Sequence, residues 1–198
     1  NWLYANQVPT VKWRNAMTIP RELHLAKVKN EMYVTSEPVE ELKLIARKGV
    51  IKTNVTVSKN TDISRLMQQS VSLPCRINLS MPQGDNFSII LSNNLKEKLI
   101  VGYDKESNQF YIDRTMAGKS DFNKEFAEKH FAPRVAESKE MTLLLIIDKS
   151  SIELFADGGL SVMTSLFFPE KPFDKIEINS SAKVLFNSIG YKGFDSIW

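Results

Sequence analysis

A chain of 198 residues with 42% hydrophobic and 25% charged side chains can bury one sizeable core under a charged surface. Its net charge of +3 comes from 26 basic and 23 acidic residues scattered along the sequence, which leaves no basic stripe for nucleic acid. No apolar run approaches the roughly 20 residues that span a bilayer. The single cysteine, Cys75, excludes an internal disulfide and reads as a small buried apolar side chain.

The first 22 residues crowd Trp2, Tyr4, Trp13 and Met17 into a run too short to bury them by itself. They begin without an initiator Met or a polar lead-in, so the chain reads as the back part of a larger protein. Near Pro20 to Leu23 this aromatic lead gives way to alternating segments, which sets an expected boundary between residues 1–22 and 23–198. Leu23, Leu25 and Lys27 with Tyr33 and Val34 predict a hairpin. Acidic residues followed by Leu42, Leu44 and Ile45 allow a short helix or equally an irregular loop over 38–46.

Strands follow at regular spacing. Ile51, Thr53, Val55 and Val57 alternate, and so do Val71, Leu73, Cys75, Ile77 and Leu79 over 70–79. Short strands are expected at 87–91, 98–103 and 109–114, the last two joined by the polar loop 104–108. Residues 121–130 carry Phe122 and Phe126 at helical spacing, compatible with a helix or an irregular loop. Strands resume at 141–148, 151–156, 160–168, 175–180 and 182–189, with 195–198 as a closing segment. Asp157-Gly158-Gly159 marks a tight turn. Turn signals every 8–12 residues predict an all-β, two-sheet antiparallel sandwich of the lectin-like jelly-roll kind, with little helix.

Three blocks carry a family resemblance. The first is Asn1-Trp2, Tyr4-Ala5-Asn6, Val8-Pro9-Thr10, Trp13-Arg14 and Ala16-Met17-Thr18-Ile19-Pro20-Arg21-Glu22-Leu23. The second is Phe110-Tyr111-Ile112-Asp113-Arg114-Thr115 with Gly118 and Asp121-Phe122. The third runs from Asp148 through Glu153-Leu154-Phe155-Ala156-Asp157-Gly158-Gly159 to Phe167-Phe168-Pro169. In order and spacing they resemble the end of glycoside hydrolase family 32, the fructan hydrolases and invertases, most of all the levanase and exo-inulinase branch. The resemblance implies that residues 1–22 end a catalytic β-propeller and that the rest is the C-terminal β-sandwich.

It also implies a secreted or periplasmic setting, no cofactor, the preceding propeller as partner, contact with fructan oligosaccharide and contacts between copies. The family hydrolyses β-fructosidic bonds with a nucleophile and an acid carboxylate held a short distance apart. Its WMNDPNG-type, RDP-type and EC-type blocks do not occur in this sequence. The expectation is therefore a chain with no catalytic residue of its own. By resemblance, Trp2 would line the fructose pocket once the propeller is complete; alternatively Trp2 and Trp13 are packing residues of the last blade. The linkage preferred, levan, inulin or sucrose, is not legible.

The remaining polar residues read structurally. Asp148 and Asp157 sit at turns, and Glu153 alternates with Ile152 and Leu154, so it is expected to face outward. Asp113, Arg114 and Asp121 suggest a charge-assisted network, and Arg21-Glu22 an ion pair between domains. His24 and His130 have no third ligand at metal spacing. A carbohydrate-binding module is the second reading, for which Tyr103, Tyr111, Tyr191 and Phe194 are the candidate stacking platform.

Overall fold

The computed structural model describes residues 4–14 and 16–195. Strand accounts for 52% of the residues and helix for 6%. The strands are β1 (Arg21–Val28), β2 (Glu31–Pro38), β3 (Val50–Val57), β4 (Thr61–Asp62), β5 (Cys75–Pro82), β6 (Phe87–Ser92), β7 (Lys98–Asp104) and β8 (Gln109–Met116). They continue as β9 (Lys129–Pro133), β10 (Glu140–Ile147), β11 (Ser151–Ala156), β12 (Ser161–Leu166), β13 (Lys175–Ser180) and β14 (Val184–Gly193). One six-stranded sheet has the order β12-β11-β10-β5-β14-β3, the other β4-β13-β6-β7-β8-β9, and β1-β2 form a separate hairpin. All named pairs are antiparallel. This is the expected two-sheet β-sandwich.

Period-2 alternation builds the core between the sheets. One sheet contributes Cys75, Ile77, Leu79 and Met81 from β5 and Met141, Leu143, Leu145 and Ile147 from β10; the other contributes Phe87, Ile89 and Leu91 from β6 and Phe110 and Ile112 from β8. All are buried. The polar loop between β7 and β8 forms as expected: the Asp104 carboxylate accepts hydrogen bonds from the Glu106 amide and the Ser107 hydroxyl, both at 3.0 Å.

One strand boundary moves, and two open readings are decided. The strand foreseen over 70–79 begins at Cys75, because Pro74 has no N–H for a ladder; Val71 and Leu73 pack on the core as loop residues. Of the helix or irregular loop left open over 121–130, residues 121–127 form the loop, as turns and bends. Phe122 and Phe126 meet with ring centroids 4.6 Å apart and stack around Phe168, so their spacing records an aromatic cluster. The helix allowed over 38–46 is a 3-10 turn, Glu40–Ile45. One unforeseen α-helix, α1 (Ile63–Met67), is capped by Asp62, whose carboxylate accepts from the amides of Ser64 and Arg65.

Candidate interdomain surface

The lead segment lies against the sandwich at two places. Tyr4 is buried with Val8 among Phe122, Phe126, Phe168 and Leu166. Its ring meets Phe126 edge-on at 5.2 Å, and its hydroxyl accepts a hydrogen bond from Arg114 Nη2 at 2.9 Å. The Arg114 guanidinium sits 4.0 Å from the Phe126 ring centroid. Arg114 thus joins the lead segment to β8, while Asp113 bonds locally to Thr115.

The second place lies over the outer face of β11 and β12. Glu153 points outward, as the alternation requires, yet is only 5% exposed because chain covers it. Its Oε1 accepts the Ile19 amide at 2.9 Å and its Oε2 is paired with Arg21. Arg21 also donates to Thr164 Oγ1 at 2.9 Å and lies over the Phe155 ring. Phe155 shares this outward face and is buried with Ile146, Phe194 and Ile19. The ion pair expected between Arg21 and Glu22 is therefore an Arg21–Glu153 pair. Glu22 is exposed beside His24, whereas Arg21, at the start of β1, reaches back to β11 and β12.

Beyond this contact the chain enters the β1-β2 hairpin. Its inner face is fixed to the sandwich: Thr35 is buried, and the Ser36 amide donates to the Gly159 carbonyl at 3.1 Å. Gly159 has φ +75, and a Cβ there would stand 2.2 Å from the Ser36 carbonyl oxygen, so only glycine permits the approach. The opposite face carries Leu23, Leu25, Met32 and Val34, each at least 60% exposed. Leu25 lies directly across from Val34 in the ladder. Together these side chains form an exposed apolar cluster.

The other foreseen residues are scattered. Trp2 lies outside the described residues; Trp13 is 42% exposed. Asp148 caps a turn, accepting the Lys149 amide at 2.7 Å. Asp157 pairs with buried Arg134 at 2.6 Å and accepts the Thr142 amide. Asp148, Glu153 and Asp157 therefore serve three separate sets of partners and form no acid–base pair. Asp121 joins no ion pair among the described residues; the charge-assisted contact that forms instead is between Arg114 and Tyr4.

Cys75 is fully buried, and burial pushes its thiol up to about 12. His24 is exposed beside Glu22. Among the described residues no group of three His, Cys, Asp or Glu is placed to hold a metal ion. Of the candidate stacking platform, Tyr103, Tyr191 and Phe194 are buried: Tyr103 and Tyr191 face the core between the sheets, and Phe194, just after β14, packs with Ile146 and Phe155 on the outer side. Tyr111 is half-buried beneath Lys129.

The geometry thus separates a closed core from an apolar outer hairpin. Residues 41–192 match the family model described as the C-terminal part of the family 32 glycosyl hydrolases. The chain belongs to this family. The family 32 domain is 29% identical over 190 residues to the levanase of Bacillus subtilis (strain 168), covering 93% of the chain and 28% of that protein. It is 32% identical over 177 residues to the extracellular exo-inulinase of Aspergillus niger, covering 85% of the chain and 32% of that enzyme. The crystal structure of exo-inulinase from Aspergillus awamori superposes with a TM-score of 0.85 at 25% identity, over 100% of the chain and 39% of that structure. The chain thus spans about a third of the length of these relatives.

Proposed function

We propose that this chain is the non-catalytic C-terminal β-sandwich of a fructan-degrading glycoside hydrolase, acting on levan, inulin or sucrose, and that it supports the catalytic propeller. The observation that carries this reading is the β1-β2 hairpin. Its inner face is locked onto the sandwich at Gly159, and its outer face presents Leu23, Leu25, Met32 and Val34 at 60–72% exposure. Burying such side chains stabilises an interface by roughly 1.5–3 kcal/mol each. Residues 1–22 would then be the end of the propeller and the link to it, with Trp2 on the propeller side.

The chemistry agrees with a supporting role. Glu153 and Asp157 are neutralised by arginines, and Asp148 is spent on a turn. Two experiments test the reading. The 198-residue chain is expected to release no reducing sugar from levan, inulin or sucrose above a buffer blank; release that a single Asp or Glu substitution removes would overturn it. A separately expressed catalytic propeller is expected to co-purify with the chain. Leu25→Asp with Val34→Asp should abolish that association while leaving the far-ultraviolet circular dichroism unchanged. Undiminished association would place the contact elsewhere.

A further inference from the structure

Three arginines carry a buried nitrogen without a hydrogen-bond partner among the described residues: Arg21, Arg114 and Arg134. Arg21 is neutralised by Glu153 and Arg134 by Asp157. Arg114, 3% exposed, has no carboxylate partner among the described residues. Its acceptors are all neutral: the Tyr4 hydroxyl at 2.9 Å, the Leu166 carbonyl at 3.2 Å and the Ser165 hydroxyl at 3.4 Å. A guanidinium has five N–H donors, so these three bonds leave two unused, on Nε and Nη2. That pair of nitrogens forms the side-on fork that matches the two oxygens of a carboxylate.

A buried charge without a counter-charge is unfavourable in a low-dielectric setting and is ordinarily found paired. Arg114 also lines a half-open cavity of about 360 Å³ between the lead segment and β12. Ser151, Thr164 and His130 share its wall. Glu153 lines it too, but both its oxygens are taken by Ile19 and Arg21. Burial and then the Arg114 charge push the His130 pKa down, with Glu128 acting weakly the other way. The imidazole is therefore neutral at pH 7, and one positive charge remains uncompensated. A monoanion matches that charge better than a phosphate dianion.

We propose that the Arg114 cavity is a carboxylate-binding site. The carboxylate comes either from a free organic acid or from an acidic side chain of the domain that precedes this one. The second source rests on the function proposed above; the first does not.

The test uses sodium acetate on the 198-residue chain at ionic strength held constant with sodium chloride. The Arg114 Nε–Hε resonance is expected to shift saturably, with a dissociation constant of about 1–30 mM. Chloride should leave it unmoved. Arg114→Lys keeps the charge but loses the fork, and should weaken acetate binding by calorimetry at least about tenfold. Should that variant fail to fold, the wild-type resonance still decides. A resonance that acetate does not move, or that chloride moves equally, overturns the site from either source. In a longer chain carrying the propeller, an Arg114 resonance already at the acetate-bound position and insensitive to acetate identifies the side-chain source. Continued acetate binding there identifies a free acid. Propeller association through the hairpin is measured separately, so either reading can fail without the other.

Discussion

Cys75 shows how one side chain registers its surroundings. It lies on β5 facing the core and is wholly buried, so the thiolate loses its hydration and the proton is held up to about 12, against an ordinary value of 9.0. The unfolded chain releases this proton near pH 9 while the folded chain keeps it. Folding therefore binds the extra proton above pH 9, and stability due to this group, complete below that pH, falls as pH rises toward 12. The expected slope is about −1.4 kcal/mol per pH unit. It is read as the difference between wild type and Cys75→Ala in urea unfolding at pH 8, 9.5 and 10.5. Parallel stabilities across that range would show that the thiolate is solvated in the folded chain.

At the scale of the element, the hairpin β1-β2 is the weakest unit. Two strands without a third are marginal in water, and one face of this pair is bare. Besides the Arg21 contact at its start, its hold on the sandwich is the turn after β11, where Gly159 meets Ser36. Gly159→Ala would force apart two backbones that now touch, besides straining a positive φ. Hydrogen exchange by mass spectrometry should show faster exchange throughout 21–38 in this variant, with β6 and β7 unchanged. A global rise in exchange would mean instead that the turn supports the whole sandwich. The lead segment belongs to the same scale: Tyr4 and Ile19 are docked on separate aromatic and apolar clusters, which orders the ends of a stretch too short to fold alone.

Across the whole molecule, the two sheets are tied at the β9-β12 edge by a buried ion pair. Arg134 follows β9 and Asp157 follows β11, on different sheets, with side chains 0% and 5% exposed. Arg134 also donates to the carbonyls of Ser138 and Glu140. Removing one partner of such a pair strands a charge and costs about 3–5 kcal/mol. Asp157→Ala should lose that amount in chemical denaturation. Arg134→Met with Asp157→Ala should lose less than the sum of the single changes, because no charge is left alone. Additive losses would show that the two side chains act independently.

Strand positions and the core were legible in the sequence because alternation is a local property: β3, β10 and β13 follow from period 2 alone, as does the inward face Cys75, Ile77 and Leu79 of β5 but not its bounds, and the turn chemistry at Asp104 and Gly158-Gly159 follows from neighbouring residues. The family was legible because its motifs are contiguous. Where several weak signals overlapped, local reading left the outcome open. Phe122 and Phe126 have helical spacing but are drawn into an aromatic cluster with Tyr4, far earlier in the chain, and Phe168, well after them. The surface was decided by tertiary structure alone. Alternation puts Glu153 and Phe155 on the outward face; Ile19 and Arg21 cover Glu153, and Ile19, Leu42, Ile45 and Phe194 pack around Phe155. Nothing in the local sequence pairs Arg21 with Glu153 rather than with Glu22, or leaves Arg114 without a carboxylate. Those outcomes depend on which distant segments meet, and burial and charge pairing are set by that meeting rather than by sequence spacing.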